Sequence, residues 1–337
     1  MTIRFKKDRI EFENGANSFI LLEESGGFAF TGRMAATVVA AAFQGTVSGY
    51  TSGGYAVPFS NVIDKFPFAS NANATDVGDL TQGRYGAAGQ SSSVSGYTSG
   101  GGAAPGIVNT IDKFSFATNA NATNVGGLYY ARRYIAGQSS TVSGYTTSGN
   151  NPPVPQAGFA IDKFPFATDA NAANLAQLSV SRYGAASQSS TVSGYASGGN
   201  PGAPSHSNVI DKFSFASSAN ASDVGDLTVA RYYVAGQSST VSGYASGGTA
   251  LPGTTNVIDK FPFASNANAT DVGDLTQGRY QSAGQSSTVS GYTSGGQTAA
   301  PSAVNTIDKF PFASDANASD VGDLTQARRF GAAGQQF

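Results

Sequence analysis

Hydrophobic and polar positions in this chain follow short alternating runs that restart six times. In one copy, a small and weakly apolar segment, Arg84-Tyr-Gly-Ala-Ala-Gly-Gln, precedes an alternating segment that ends in glycines, Ser93-Val-Ser-Gly-Tyr-Thr-Ser-Gly-Gly101. After a variable stretch comes the aromatic, β-rich segment Thr110-Ile-Asp-Lys-Phe-Ser-Phe116, and then Asn124-Val-Gly-Gly-Leu128. Clusters of Gly, Asn, Ser and Pro separate these segments, which predicts four short strands per copy. A helical period fits none of them, because Gly and β-branched residues interrupt every window.

The copies are kept in phase by the phrase Ile-Asp-Lys-Phe, which begins at Ile63, Ile111, Ile161, Ile210, Ile258 and Ile307. A Gly-Tyr phrase keeps the same period at Gly49, Gly96, Gly144, Gly194, Gly243 and Gly291. Such a period marks units that bury their apolar faces only against one another. Four strands in each make a propeller blade. The small segment is expected innermost, where blades taper, with Phe66, Phe68 and their repeats between blades. The repeats open at Thr46 with a second strand and finish at Arg328-Arg-Phe-Gly-Ala-Ala-Gly-Gln335, a first strand with no blade after it. That strand is expected to complete the first blade and remove the free edges. The expected fold is all-β: a six-bladed propeller over residues 46–337, with a β-rich arm over residues 1–45. A seventh blade patched from the N-terminal segment is the alternative. Residues present in all six copies are expected to hold the ring together rather than bind a ligand.

These residues resemble the kelch repeat. That family's pattern is an Arg before a small strand, an aromatic shortly before a Gly-Gly pair, a strand ending in an aromatic, and a Trp shortly before a Leu. Arg84, Tyr97 with Gly100 and Gly101, and Phe114 fill the first three roles. The Trp position instead holds Val77, Val125, Leu175, Val224, Val272 and Val321, and the third copy loses its double glycine at Ser148-Gly-Asn150. The phrases Asp-Val-Gly-Asp-Leu-Thr and Ala-Gly-Gln-Ser-Ser look like those of repeat-rich virion proteins of marine tailed phages. That resemblance implies a structural virion protein.

Composition narrows the chemistry. The 337 residues include 22 Phe, 15 Tyr and 43 Gly but no Cys or Trp, so there is no disulfide framework, thiolate nucleophile or Cys-based metal site. Aromatics at fixed places in the period argue for a packed core despite the Gly-rich composition. Only 12% of residues are charged and the net charge is −2, which argues against gripping nucleic acid phosphates. The longest nearly apolar run, Met34 to Phe43, is too short to cross a bilayer, and the acid-bearing segment before it makes a poor signal-peptide start. It is read as a strand or a short Ala-rich segment. No cofactor, no metal and no membrane insertion are expected.

Charge placement points to one face. Beyond the arm, six lysines belong to Ile-Asp-Lys-Phe, and all eight arginines sit in the connections leading to the small strands. The loops between second and third strands emerge on the same side as those connections, vary between copies, and contain no Asp, Glu, Lys or Arg. Loops on a rigid scaffold usually do the recognising, so this is the candidate binding face. Its candidate residues are the single-copy aromatics Tyr55, Phe59, Tyr129, Tyr130 and Phe159, the lone His206, and the connection arginines Arg84, Arg133, Arg182, Arg231 and Arg279. The aromatics suit sugar stacking or partner contact, with loop packing as the plain alternative. The arginines suit phosphates or acidic sugars, with structural pairing to the repeated Asp as the plain alternative.

Enzyme chemistry finds little room. A glycosidase needs two distinct carboxylates, yet the variable loops have none. Galactose oxidase, a kelch-like propeller, uses copper with His, Tyr and a Cys-Tyr cross-link, which one His and no Cys cannot build. Loops such as Ser70-Asn-Ala-Asn-Ala-Thr75 faintly suggest calcium, but neutral residues replace the acids in two copies, and turn-forming Asn that caps its own backbone is preferred. The arm shows no copy of the repeat. Ile3 with Phe5, Ile10 with Phe12, Phe19 to Leu22 and Gly27 to Phe30 read as strands broken by glycines. The resulting expectation is a non-enzymatic, homo-oligomeric virion protein (tail fibre, knob or head decoration), joined to other virion proteins through residues 1–45, whose loop face contacts host-surface glycan or protein. The runner-up is an intracellular adaptor that binds a peptide or protein through convergent free arginines such as Arg84, Arg133 and Arg182.

Overall fold

The computed structural model describes residues 2–5, 9–14, 17–22, 45–202, 205–300 and 302–336. The chain divides into two compact units, Met1–Ala40 and Ala41–Phe337. In the first, strands Thr2–Phe5, Arg9–Asn14 and Asn17–Leu22 form an antiparallel three-stranded sheet, with Asn14 paired to Asn17. The expected strand at residues 27–30 and the apolar run at 34–43 lie outside the described residues.

The second unit is six four-stranded antiparallel sheets, five of them with their strands in chain order from the axis outward. Blade 2 shows the plan: Ala88–Ser91 innermost, then Ser95–Gly102, Ile107–Ser115, and Thr123–Gly127 at the rim. Blade 1 is the exception in chain order. Its inner strand is Ala332–Gln336, paired antiparallel with Ser48–Gly54, so the end of the repeat region closes the ring as expected and no seventh blade exists among the described residues.

The repeated phrases turn out to be the packing between blades. Within a blade, the Gly of Gly-Tyr faces the first Phe of the third strand, Gly96 opposite Phe114 for example, and a Cβ there would run into the ring. The adjoining Tyr projects into the next blade, where it stacks on the second Phe: Tyr97 on Phe166 at 4.9 Å, and Tyr292 on Phe68 at 4.8 Å across the closure. Val77, Val125 and their equivalents, at the place of the kelch Trp, pack partly buried against these clusters. Lys65, Lys163, Lys212 and Lys309 lie 5.7–5.8 Å from the ring centres of their cross-strand tyrosines.

Polar links repeat with the same period. The Asp of each Ile-Asp-Lys-Phe is buried and pairs with the buried Arg that precedes its blade's inner strand, at 2.9–3.2 Å in all six blades. The same carboxylate accepts bonds from the preceding blade. Thr81 gives Asp112 both its backbone N–H and its hydroxyl, and Ser179, Thr228, Thr276 and Thr325 do the same for their Asp partners. Nearer the axis, Gln90, Gln138, Gln188, Gln237 and Gln285 each donate to the backbone carbonyl of the next blade's tyrosine at 2.8–3.0 Å. At the closing strand that place holds Gly334, opposite Tyr50, which has no side chain to make the bond.

One expectation about the Asn-rich loops is corrected. Their asparagines do not cap their own turns: Asn121 Oδ1 accepts the N–H of Asp79 in the preceding blade, and Asn73, Asn171, Asn220, Asn268 and Asn317 make the equivalent cross-blade bond. The local turn bond comes from the outer strand, where Asp76 Oδ1 accepts the N–H of Gly78.

Blade 3 departs from the rule at the carboxylate. Tyr129 stands where other copies have Thr or Ser, so Asp162 receives only its N–H, at 3.2 Å, and Asp162 Oδ1 is buried with no hydrogen-bond partner. Burial pushes the Asp162 carboxyl up, outweighing the opposing pull of Arg132. Tyr129→Thr is therefore expected to stabilise the protein. A hydrogen bond to a charged group gains roughly 1.5–3 kcal/mol, while giving up the Tyr129–Tyr130 ring pair costs about 0.5–1.5 kcal/mol. The net gain of about 1 kcal/mol should appear as a higher denaturant midpoint with an unchanged slope.

Candidate functional site

Each connection from an outer strand to the next inner strand has three jobs in succession. Its arginine turns inward to the buried Asp. The next residue stays at the surface and pairs with the loop after the second strand, as Tyr85 does with Gly102, Arg133 with Asn150 and Tyr183 with Asn200. That pairing places the connections and the variable loops on one face. The residue after it reaches the axis.

Six such axial residues, one per blade, bond to one another in a closed circle. Tyr134 N–H donates to Gly86 O at 2.6 Å, Gly184 to Tyr134, Tyr233 to Gly184, Gln281 to Tyr233, Phe330 to Gln281, and Gly86 back to Phe330 at 3.0 Å. All six adopt left-handed backbone, with φ between 56° and 66°. Glycine does so freely, but a bulky residue does so at a cost of roughly 1–2 kcal/mol. Tyr134, Tyr233 and Phe330 are held there by the ring of bonds. Their rings meet in a triangle over the axis, with centroids 4.8–5.3 Å apart. Gly86 and Gly184 leave the space that Tyr134 and Tyr233 lean into.

Around this triangle the surface residues add Tyr85, Tyr183, Tyr232 and Tyr280, and the loop of blade 1 adds Tyr55 and Phe59. Nine aromatic rings thereby form one continuous network, with neighbours 4.4–6.4 Å apart. His206 joins it at 4.7 Å from Tyr232, and burial lowers its imidazole below 6.5, leaving it neutral at pH 7. Burial also raises Tyr134 to about 12 and pushes Tyr233 up, so both phenols stay protonated through the physiological range. A cleft of ≈ 70 Å³ lies among Tyr134, Tyr233, Gln281 and Phe330, and a cavity of ≈ 120 Å³ lined by Ala, Gly and Ser follows along the axis.

The candidate residues separate clearly. Tyr55, Phe59 and His206 belong to the aromatic network, and Arg133 lies against it, 5.0 Å from the Tyr134 ring centre. Tyr129 and Tyr130 contact each other at 4.7 Å, and among the described residues no ring contact joins them to the network; Phe159 follows a short 3-10 turn, Pro155–Gly158, in the blade 3 loop. Arg84, Arg182, Arg231 and Arg279 are corrected: they are at most 1% exposed and ion-paired, so no ligand can reach them. The reading as an adaptor with free Arg84, Arg133 and Arg182 thereby loses two of its three arginines. Tyr85, Tyr134, Tyr183, Tyr232, Tyr233, Tyr280, Arg329 and Phe330 went unnoticed in the sequence. Their signal was the two positions after the repeated Arg, which read Tyr-Gly, Arg-Tyr, Tyr-Gly, Tyr-Tyr, Tyr-Gln and Arg-Phe.

Chemically the face offers aromatic surfaces, phenol hydroxyls, amides, two guanidinium groups and one neutral imidazole. Its loops and connections contain no carboxylate in their sequence. Among the described residues no group of three or more His, Cys, Asp or Glu is placed to hold a metal ion. No protein-family model and no curated protein matches the chain.

The strained axial ring can be tested directly. In Tyr134→Gly, the relief of backbone strain, about 1–2 kcal/mol, should offset only part of the loss of its four ring contacts, about 0.5–1.5 kcal/mol each. Tyr134→Val keeps the strain, adds a β-branch and removes the aromatic ring. Denaturant unfolding should find both variants weaker than the parent, and the valine variant weaker than the glycine one by the strain it retains, about 1–2 kcal/mol.

Proposed function

We propose that this protein is a non-enzymatic recognition propeller of a phage particle, a tail fibre, knob or head decoration, whose aromatic face binds host-surface glycan. The observation behind the binding role is the network of nine aromatic rings, built from residues that differ between blades and set on a scaffold that hardly differs at all. Tyrosine suits sugars: its ring covers the C–H face of a pyranose while its hydroxyl bonds the sugar's own. The rings are spread over a shallow surface around a small cleft, which suits an extended chain of sugars better than one enclosed molecule. The absence of acids from the loops and connections of this face supports binding without hydrolysis. The particle setting rests on the repeated phrases that resemble phage virion proteins, with residues 1–45 as the joint to other virion proteins. Several copies in one particle would add avidity to weak single sites.

Binding of the full chain to immobilised bacterial surface polysaccharides tests the first part. Tyr85→Ala and Tyr183→Ala should each weaken it about tenfold, while unfolding stays cooperative with a midpoint well above the assay temperature. Variants that bind like the parent would remove the aromatic face as the site. For the second part, a chain lacking residues 1–45 should retain glycan binding but no longer enter particles; its incorporation at parental levels would refute the joint.

A further inference from the structure

Charge on the aromatic face is concentrated in one sector. Of the six surface positions that follow the buried arginines, four are tyrosine and two are arginine, Arg133 in blade 3 and Arg329 in blade 1. The two flank Tyr85 of blade 2 from either side. Arg133 donates from Nη1 to the Tyr85 hydroxyl at 2.5 Å, while its Nε is buried with no partner. Arg329 lies over the Tyr55 ring at 4.6 Å and bonds the Gln297 side-chain oxygen. Tyr55, Phe59 and Tyr85 pack between them, with centroids 4.8–5.5 Å apart. Among the described residues no carboxylate pairs with either guanidinium, whereas every other arginine of the propeller has a buried Asp.

We infer that this sector recognises the acidic group of a charged glycan, a sugar carboxylate or sulfate, with the sugar ring seated on the Tyr55–Phe59–Tyr85 cluster. The inference rests on the glycan reading above and names its ligand class. A guanidinium presents a planar fork that matches both anions, and with no acid in the surrounding loops its charge remains available to a ligand. The composition of the sector favours sugar over acidic peptide. Its backbone is already used, since Tyr85 pairs with Gly102, Tyr55 with Arg329 and Arg133 with Asn150, which leaves no strand edge for a peptide to extend. Only side chains remain to bind, and those are aromatic faces, hydroxyls and the two cations.

The test uses the full chain and four probes at low and high salt: neutral dextran, polygalacturonate, dextran sulfate and poly-glutamate. Binding to polygalacturonate or dextran sulfate should exceed that to dextran at least tenfold and fall with salt, and the stronger of the two identifies the anion. Arg133→Gln with Arg329→Gln should abolish that preference without shifting the melting temperature, while Tyr183→Ala, outside the sector, should leave the preference intact. Equal binding to dextran and the acidic sugars, or a preference that survives the double substitution, overturns the inference and leaves the glycan reading standing. Binding to poly-glutamate alone overturns the inference in favour of an acidic peptide. Binding to none of the four, together with no binding to bacterial polysaccharides, overturns the glycan reading itself.

Discussion

The buried aspartate of each Ile-Asp-Lys-Phe phrase ties three pieces of chain together. It holds an arginine from the connection leading into its own blade and, in five of six blades, a backbone amide and a hydroxyl from the blade before. A charge buried this deeply is costly unless fully paired, and removing one partner typically costs about 3–5 kcal/mol. Six such clamps therefore fix the position of each connection and each blade boundary. The closure uses the same clamp, Arg328 to Asp64 with Thr325 donating, so the last strand is locked by the arrangement that locks the others. The closing strand differs in one respect, because Gly334 stands where the other inner strands carry the axial glutamine.

Clamping the connections leaves the residues after each arginine free to differ. The backbone there is already specified: one residue is paired to the neighbouring loop, and the next is turned left-handed and bonded into the axial circle. Side chains at these positions can change without disturbing the ring, and they do, from glycine to glutamine to tyrosine. Strained backbone at Tyr134, Tyr233 and Phe330 persists because the surrounding bonds over-determine it, which is typical of functional surfaces. The division of labour is plain. Residues that repeat hold the propeller, and residues that vary cover one face with aromatic rings.

The same logic explains why two arginines side by side have opposite fates. In Arg132-Arg133 and Arg328-Arg329 the first is buried on its aspartate and the second lies on the surface against tyrosine rings. Phase relative to the clamp decides this, since adjacent residues of the connection point in different directions. Phase also separates Tyr129 and Tyr130 from the central network. They lie at the start of the connection, near the rim, although their composition alone resembles that of the axial residues.

Sequence by itself determined the strand content, the six blades, the closure by the last strand and the aromatic packing between blades. These features repeat, and a repeated residue must satisfy the same neighbours six times, so its spacing exposes its role. It also placed the variable loops and the arginine connections on one face, where the structure pairs them. Tertiary structure alone decided which residues on that face meet. Tyr85, Tyr134, Tyr233 and Phe330 come from four different blades and touch only because the ring brings every connection back to one axis. Nor could the period show that the Asn of one blade caps the blade before it, or that Arg84 is sealed while Arg133 is not. A repeat fixes distance along the chain, but distance from the axis and direction of the side chain arise only when the sheets close.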